Sequence, residues 1–85
     1  MEHIEMKQFD SLKELYGNPD VYLSSTETFT LVAIPEWNWS FLWDVDMDDI
    51  IAKKKCITAI SDPVFPDDAK AFVEELYHYL MGYKR

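Results

Sequence analysis

The sequence predicts an α+β fold: a small antiparallel sheet, built from a three-strand meander plus one or two further strands, packed against a C-terminal amphipathic helix, with a short N-terminal helix. Three observations predict it. Residues 21–45 follow a period of two and are rich in β-branched and aromatic side chains. Residues 66–83 follow a helical period behind a proline and two aspartates. A chain of 85 residues has material for one core, so a single domain over 1–85 is expected.

The chain opens with Ile4 and Met6 set around Glu5 and Lys7, an alternation that suits a first strand or an extended arm. Asp10 or Ser11 can then cap a helix, with Ser11 and Glu14 spaced as a capping box and Gly17-Asn18-Pro19 breaking the chain after it. Its buried stripe would be Phe9, Leu12, Leu15 and Tyr16. Strands are expected at about 21–24, 28–34 and 37–45, separated by Ser25-Thr26-Glu27 and by Pro35-Glu36. In the third, Trp37, Trp39, Phe41, Trp43 and Val45 share one side, while Asn38, Ser40, Leu42 and Asp44 share the other. So short a chain has few other large groups to fill an interior, which assigns the aromatic side to the core. Left exposed, it would be a binding patch or a homodimer surface.

Asp46 is expected to cap a short helix over 47–53, with Asp48 and Asp49 at its positive end and Lys53, Lys54 and Lys55 at its negative end. Cys56-Ile57-Thr58-Ala59-Ile60 reads as a further buried strand, closed by Ser61-Asp62-Pro63. The last helix starts at Pro66 with Asp67 and Asp68 in its first turn. Ala69, Phe72, Val73, Leu76, Leu80 and Tyr83 recur along it at helical spacing, while Lys70, Glu74 and Glu75 stay in water. Gly82 begins its end, ahead of Lys84 and Arg85.

With 16 acidic and 8 basic side chains, the formal charge is -8. That charge disfavours direct contact with a nucleic-acid backbone or an anionic membrane and attracts a basic partner. Cys56 is the only cysteine, so no intrachain disulfide can form. Residues 1–9 lack the apolar run of a signal peptide, and no segment has the roughly 20 apolar residues that span a bilayer. A reducing, cytoplasmic location is therefore expected.

The candidate chemistry is thin. Asp44, Asp46 and Asp48 alternate as in the opening of a calcium loop, but Asp49 stands where that loop needs glycine and Lys55 where it needs a bidentate glutamate. Solvated acids at a helix start are the simpler reading. His3, His78 and Cys56 lie far apart in sequence and show no zinc-ligand spacing, and Cys56 suits a small buried hydrophobe. Gly17 and Gly82 are the only glycines, too few for a phosphate-cradling loop. No cofactor is implied, and catalysis is not expected.

Two functional classes remain. The leading one is a small acidic protein-binding or regulatory domain whose partner is basic, with Glu36, Asp44, Asp46, Asp48, Asp49, Asp67, Asp68, Glu74 and Glu75 as the candidate contact residues. Its sharper form is an inhibitor that mimics nucleic-acid charge and blocks a nucleic-acid-processing protein, as a phage or plasmid antagonist would. The alternative is a small metal-dependent enzyme or accessory domain using the Asp44–Asp49 cluster.

Overall fold

The computed structural model describes residues 3–44 and 46–83, without the side chains of residues 3 and 83. Val45, expected to close the aromatic row, lies outside the described residues, as do Lys84 and Arg85. In chain order the elements are β1 (His3–Lys7), a 3-10 turn (Asp10–Leu12), β2 (Val21–Ser25), β3 (Phe29–Ile34), a second 3-10 turn (Pro35–Trp37), β4 (Trp39–Asp44), α1 (Asp49–Ile60) and α2 (Pro66–Tyr83). The strands form one antiparallel sheet in the order β1-β2-β3-β4, each hydrogen-bonded to its neighbour in sequence. An α+β fold with a four-strand antiparallel sheet is therefore what the sequence forms.

Local chemistry fixes the connections. Between β2 and β3, the Thr26 backbone N–H donates to the Phe29 carbonyl at 2.8 Å, and the Thr26 hydroxyl accepts from the backbone N–H groups of Thr28 and Phe29. Between β3 and β4, Pro35 starts a single 3-10 turn that Asn38 ends in the left-handed region at φ 52°. That turn removes Trp37 from the strand, where the sequence pattern had placed it. Trp37 instead meets Tyr16 edge to face at 6.0 Å.

The register separates two faces. Glu5, Leu23, Val32 and Phe41 form one row across the sheet, while Ile4, Ser24, Leu31 and Leu42 form the next row on the opposite side. Both helices cover the first side. Val21, Leu23, Thr30, Val32, Ile34 and Trp43 are buried there against Ala52, Cys56 and Ile60 of α1 and Ala69, Phe72, Val73, Leu76 and Leu80 of α2. Burying each valine, leucine, isoleucine or phenylalanine among them contributes about 1.5–3 kcal/mol, an upper bound set by an extended reference chain. Thr30, the one buried polar residue here, has its hydroxyl 2.9 Å from that of its cross-strand partner Ser25.

The aromatic side of β4 is thus core rather than an exposed patch. Trp43 is buried and Trp39 and Phe41 half-buried, and the Trp39 indole N–H donates to the Ala59 carbonyl at 3.0 Å, tying β4 to the last turn of α1. Among the described residues, no helix covers the opposite side of the sheet. Ile4, Met6 and Leu42 are 65%, 56% and 53% exposed, with Tyr22 and Leu31 also open.

Several expectations are corrected. The short helix over 47–53 and the strand over Cys56–Ile60 are one continuous helix, α1. Asp48, not Asp46, caps it, its carboxylate accepting from the backbone N–H groups of Ile50 and Ile51. A strand would have buried Thr58 together with Cys56 and Ile60, but Thr58 is exposed and the buried residues Ala52, Cys56 and Ile60 lie four apart. Packing of that stripe outweighs the weak helix propensity of Ile57, Thr58 and Ile60. Lys53, Lys54 and Lys55 consequently stand in mid-helix, not at its negative end.

Near the N-terminus, the chain makes only the three-residue turn Asp10–Leu12 instead of a helix running to residue 16. No side chain caps that turn, so the Ser11–Glu14 box is not formed. Glu75 takes that role from a distance, its carboxylate accepting the Ser11 N–H at 2.8 Å. Two helical turns gain little against the cost of nucleation, and the segment is held by packing: Phe9 and Leu12 are buried, and Phe9 meets Phe72 edge-on at 5.2 Å. Leu15, expected in the buried stripe, is exposed, and Gly17 and Asn18 turn the chain with positive φ.

Candidate binding surface

The nine candidate acids do not form one patch. Asp44 ends β4 and points to the open side of the sheet, where its carboxylate accepts the Asp46 N–H at 2.9 Å. Asp46 follows in the turn, and Asp48 and Asp49 begin α1. All four are exposed. Next to them, the Tyr77 hydroxyl donates to Asp49 at 2.7 Å. Lys53 Nζ lies 4.0 Å from the centroid of that tyrosine ring and 3.1 Å from a Glu74 carboxylate oxygen. Glu74 therefore belongs with the Asp44–Asp49 group, with His78 Nε2 3.8 Å from its other oxygen.

The remaining acids lie elsewhere. Asp68 and Glu75 face the 3-10 turn on the far flank of α2, where Asp68 accepts the Tyr16 hydroxyl at 2.7 Å and the Tyr16 oxygen accepts the Phe65 N–H at 3.0 Å. Partial burial, then the bond to Asp68, pushes the Tyr16 phenol above its usual value, so it stays a protonated donor. Glu36 accepts the Asp20 N–H at 3.1 Å at the opposite end of the sheet from Asp44. Asp67 stands exposed in the first turn of α2. Seven of the nine thus hold the chain in shape; among the described residues, Asp46 and Asp67 have no such side-chain bond.

Nucleophiles and metal ligands are dispersed. Cys56 is fully buried, and burial pushes its thiol up to about 12, which leaves it inert at neutral pH. Among the described residues, no three His, Cys, Asp or Glu side chains converge on a point that could hold a metal ion, Asp44, Asp46, Asp48 and Asp49 included. An open concavity of about 480 Å³ lies beside the first 3-10 turn, lined by Asp10, Ser11, Lys13, Glu14, Leu15, Tyr16 and Asp68. Lys13 and Asp10 pair at 2.7 Å there; the bond raises the lysine and lowers the aspartate from their usual values. Asp68 is bonded to Tyr16, and among the described residues no nucleophile–base pair faces the concavity.

Sequence reasoning missed the open side of the sheet as a surface. The signal was present in β3, where Phe29, Leu31 and Ala33 alternate with Thr30, Val32 and Ile34, so that both faces are nearly free of charge. Such a strand reads as covered on both sides. In this fold only one side is covered. None of the described helices is long and apolar enough to cross a membrane. Neither a known family model, nor a curated protein, nor a solved structure matches the chain.

Proposed function

We propose that this chain is a small protein-binding domain for a basic protein partner, acting by docking rather than by catalysis and without a cofactor. The observation that carries it is the stretch from Asp44 to Asp49. Four exposed carboxylates crowd into six residues, and the nearest paired cation, Lys53, is engaged by Glu74 and Tyr77. A net charge of -8 adds a long-range field that speeds encounter with a cation-rich surface and repels phosphates and anionic membranes. The division of the nine acids between separate sides of the domain lends no support to a continuous mimic of nucleic-acid charge, which would have to rest on the Asp44–Asp49 group and Glu74 alone.

The test is a titration of a fluorescently labelled lysine-rich peptide, followed by anisotropy over a range of salt. Affinity should fall about tenfold or more between 50 and 500 mM salt, since exposed charges are screened within roughly 10 Å at 0.1 M. The Asp44→Asn/Asp46→Asn double variant, which keeps the acceptor at position 44, should bind three- to tenfold more weakly at low salt. Binding indifferent to salt and to both substitutions overturns the reading.

A further inference from the structure

The side of the sheet that no helix covers is a surface in its own right. Its side chains are Ile4 and Met6 from β1, Tyr22 and Ser24 from β2, Phe29, Leu31 and Ala33 from β3, and Ser40, Leu42 and Asp44 from β4. Across four strands the face is apolar at its centre and carries one charge, Asp44, at a corner. Antiparallel sheets that face water on one side normally present polar residues there. This one instead leaves Ile4, Met6 and Leu42 more than half exposed, with Tyr22 and Leu31 beside them. Clusters of exposed apolar side chains on one face are a mark of interaction sites.

Charge selects the occupant. At one end of the face stand Asp44 and Asp46, near Glu27 in the β2–β3 turn, since Phe29 pairs with Asp44 in the register. At the other end Glu36 accepts from the backbone of Asp20, just before β2. No described lysine or arginine side chain lies on this face: Lys7, the only one in a strand, turns to the helix side over the rings of Phe9 and Tyr79. An apolar strip with acids at both ends complements an apolar stripe flanked by lysines and arginines. A second copy of the chain would instead set acidic ends against acidic ends.

We propose that the open face of the sheet is the docking surface for a basic amphipathic helix of a partner protein. The size fits, since four strands about 4.8 Å apart and five or six residues long offer a footprint of roughly 15–20 Å on a side. A helix of three to four turns, about 16–22 Å long and 10 Å wide, covers its centre. The inference rests on the basic-partner reading and deepens it. It places the apolar contacts on Met6, Leu31 and Leu42 and leaves the charged contacts to Asp44, Asp46 and Glu27 at one end and Glu36 at the other.

The experiment uses two 18-residue synthetic peptides of equal positive charge. One is a leucine–lysine amphipathic helix, and in the other serine replaces every leucine. Backbone amide shifts of the labelled protein map the contact, and Leu42→Lys and Leu42→Asn test it, both at an exposed position where folding is unaffected and is checked by thermal melting. The amphipathic peptide should bind at least tenfold tighter than the serine peptide, shift amides of all four strands, and lose tenfold or more affinity to Leu42→Lys. If both peptides bind alike and shift only residues around Asp49 and Glu74, the docking surface is overturned while a basic partner stands. If neither binds at low salt, both readings fall. A doubled mass without peptide, abolished by Leu42→Lys, makes a second copy the occupant and overturns the proposal.

Discussion

Cys56 offers a sharp test of the packing between α1 and the rest of the core. Its thiol is fully buried and is raised from 9.0 to about 12 by desolvation. A raised acid group keeps its proton in the folded chain at a pH where the unfolded chain has released it, so the folded state binds more protons and stability falls as pH rises. The contribution is fully present below pH 9 and declines toward the folded value. With 1.36 kcal/mol per unit, the loss is about 1.4 kcal/mol at pH 10 and about 2 kcal/mol at pH 10.5. For a domain of this size, stabilised by roughly 4–13 kcal/mol, that is a large share. The assay is urea unfolding of the natural chain and of Cys56→Ala at pH 8, 9, 10 and 10.5. Every other ionisable group is common to both chains and cancels in the difference, so the advantage of the natural chain should shrink by about 2 kcal/mol across the series. Parallel curves would show that water reaches the sulfur and that the α1 stripe is not packed as described.

Further outcomes follow from other contacts. Trp43→Ala should cost about 3–5 kcal/mol and leave the domain largely unfolded at 37 °C by circular dichroism, because a buried indole is replaced by a cavity between the edge strand β4 and the helices. Trp39→Phe keeps most of the ring but removes the donor to the Ala59 carbonyl, and chemical denaturation should show a loss of about 1–2 kcal/mol. Asp48→Ala should cost about 1 kcal/mol, with amide exchange accelerated over the first turn of α1, whereas Asp48→Asn should recover most of it.

What the sequence revealed depended on how local the signal was. The meander was legible because strand period, turn residues and proline all act over a few positions, as in Val21–Ser25 and Phe29–Ile34. Residues 56–60 carry two competing signals, a β-branched composition that suits a strand and the four-residue spacing of Ala52, Cys56 and Ile60 that continues α1, and the spacing wins. The 3-10 turn at residues 10–12 could not be seen locally at all. Its stabilising acceptor is Glu75, 64 positions away. The candidate acids were legible as residues but not as a surface, since their grouping follows from how α2 lies between α1 and that turn. The open apolar face required knowing that both helices choose the same side.

The order of the strands along the chain matches their order in the sheet, and that has a consequence during translation. Hairpins close in about 1–10 μs, so β1 to β4 can pair as soon as they emerge. The residues from 45 to 83 that carry both helices follow at roughly 5–20 per second, a delay of about 2–8 s. Throughout that interval the nascent sheet shows water two apolar surfaces, one of them bearing Trp39, Phe41 and Trp43. A ribosome that stalls within α2 should therefore release an aggregating fragment, and chaperone demand should peak before Leu76 and Leu80 are added.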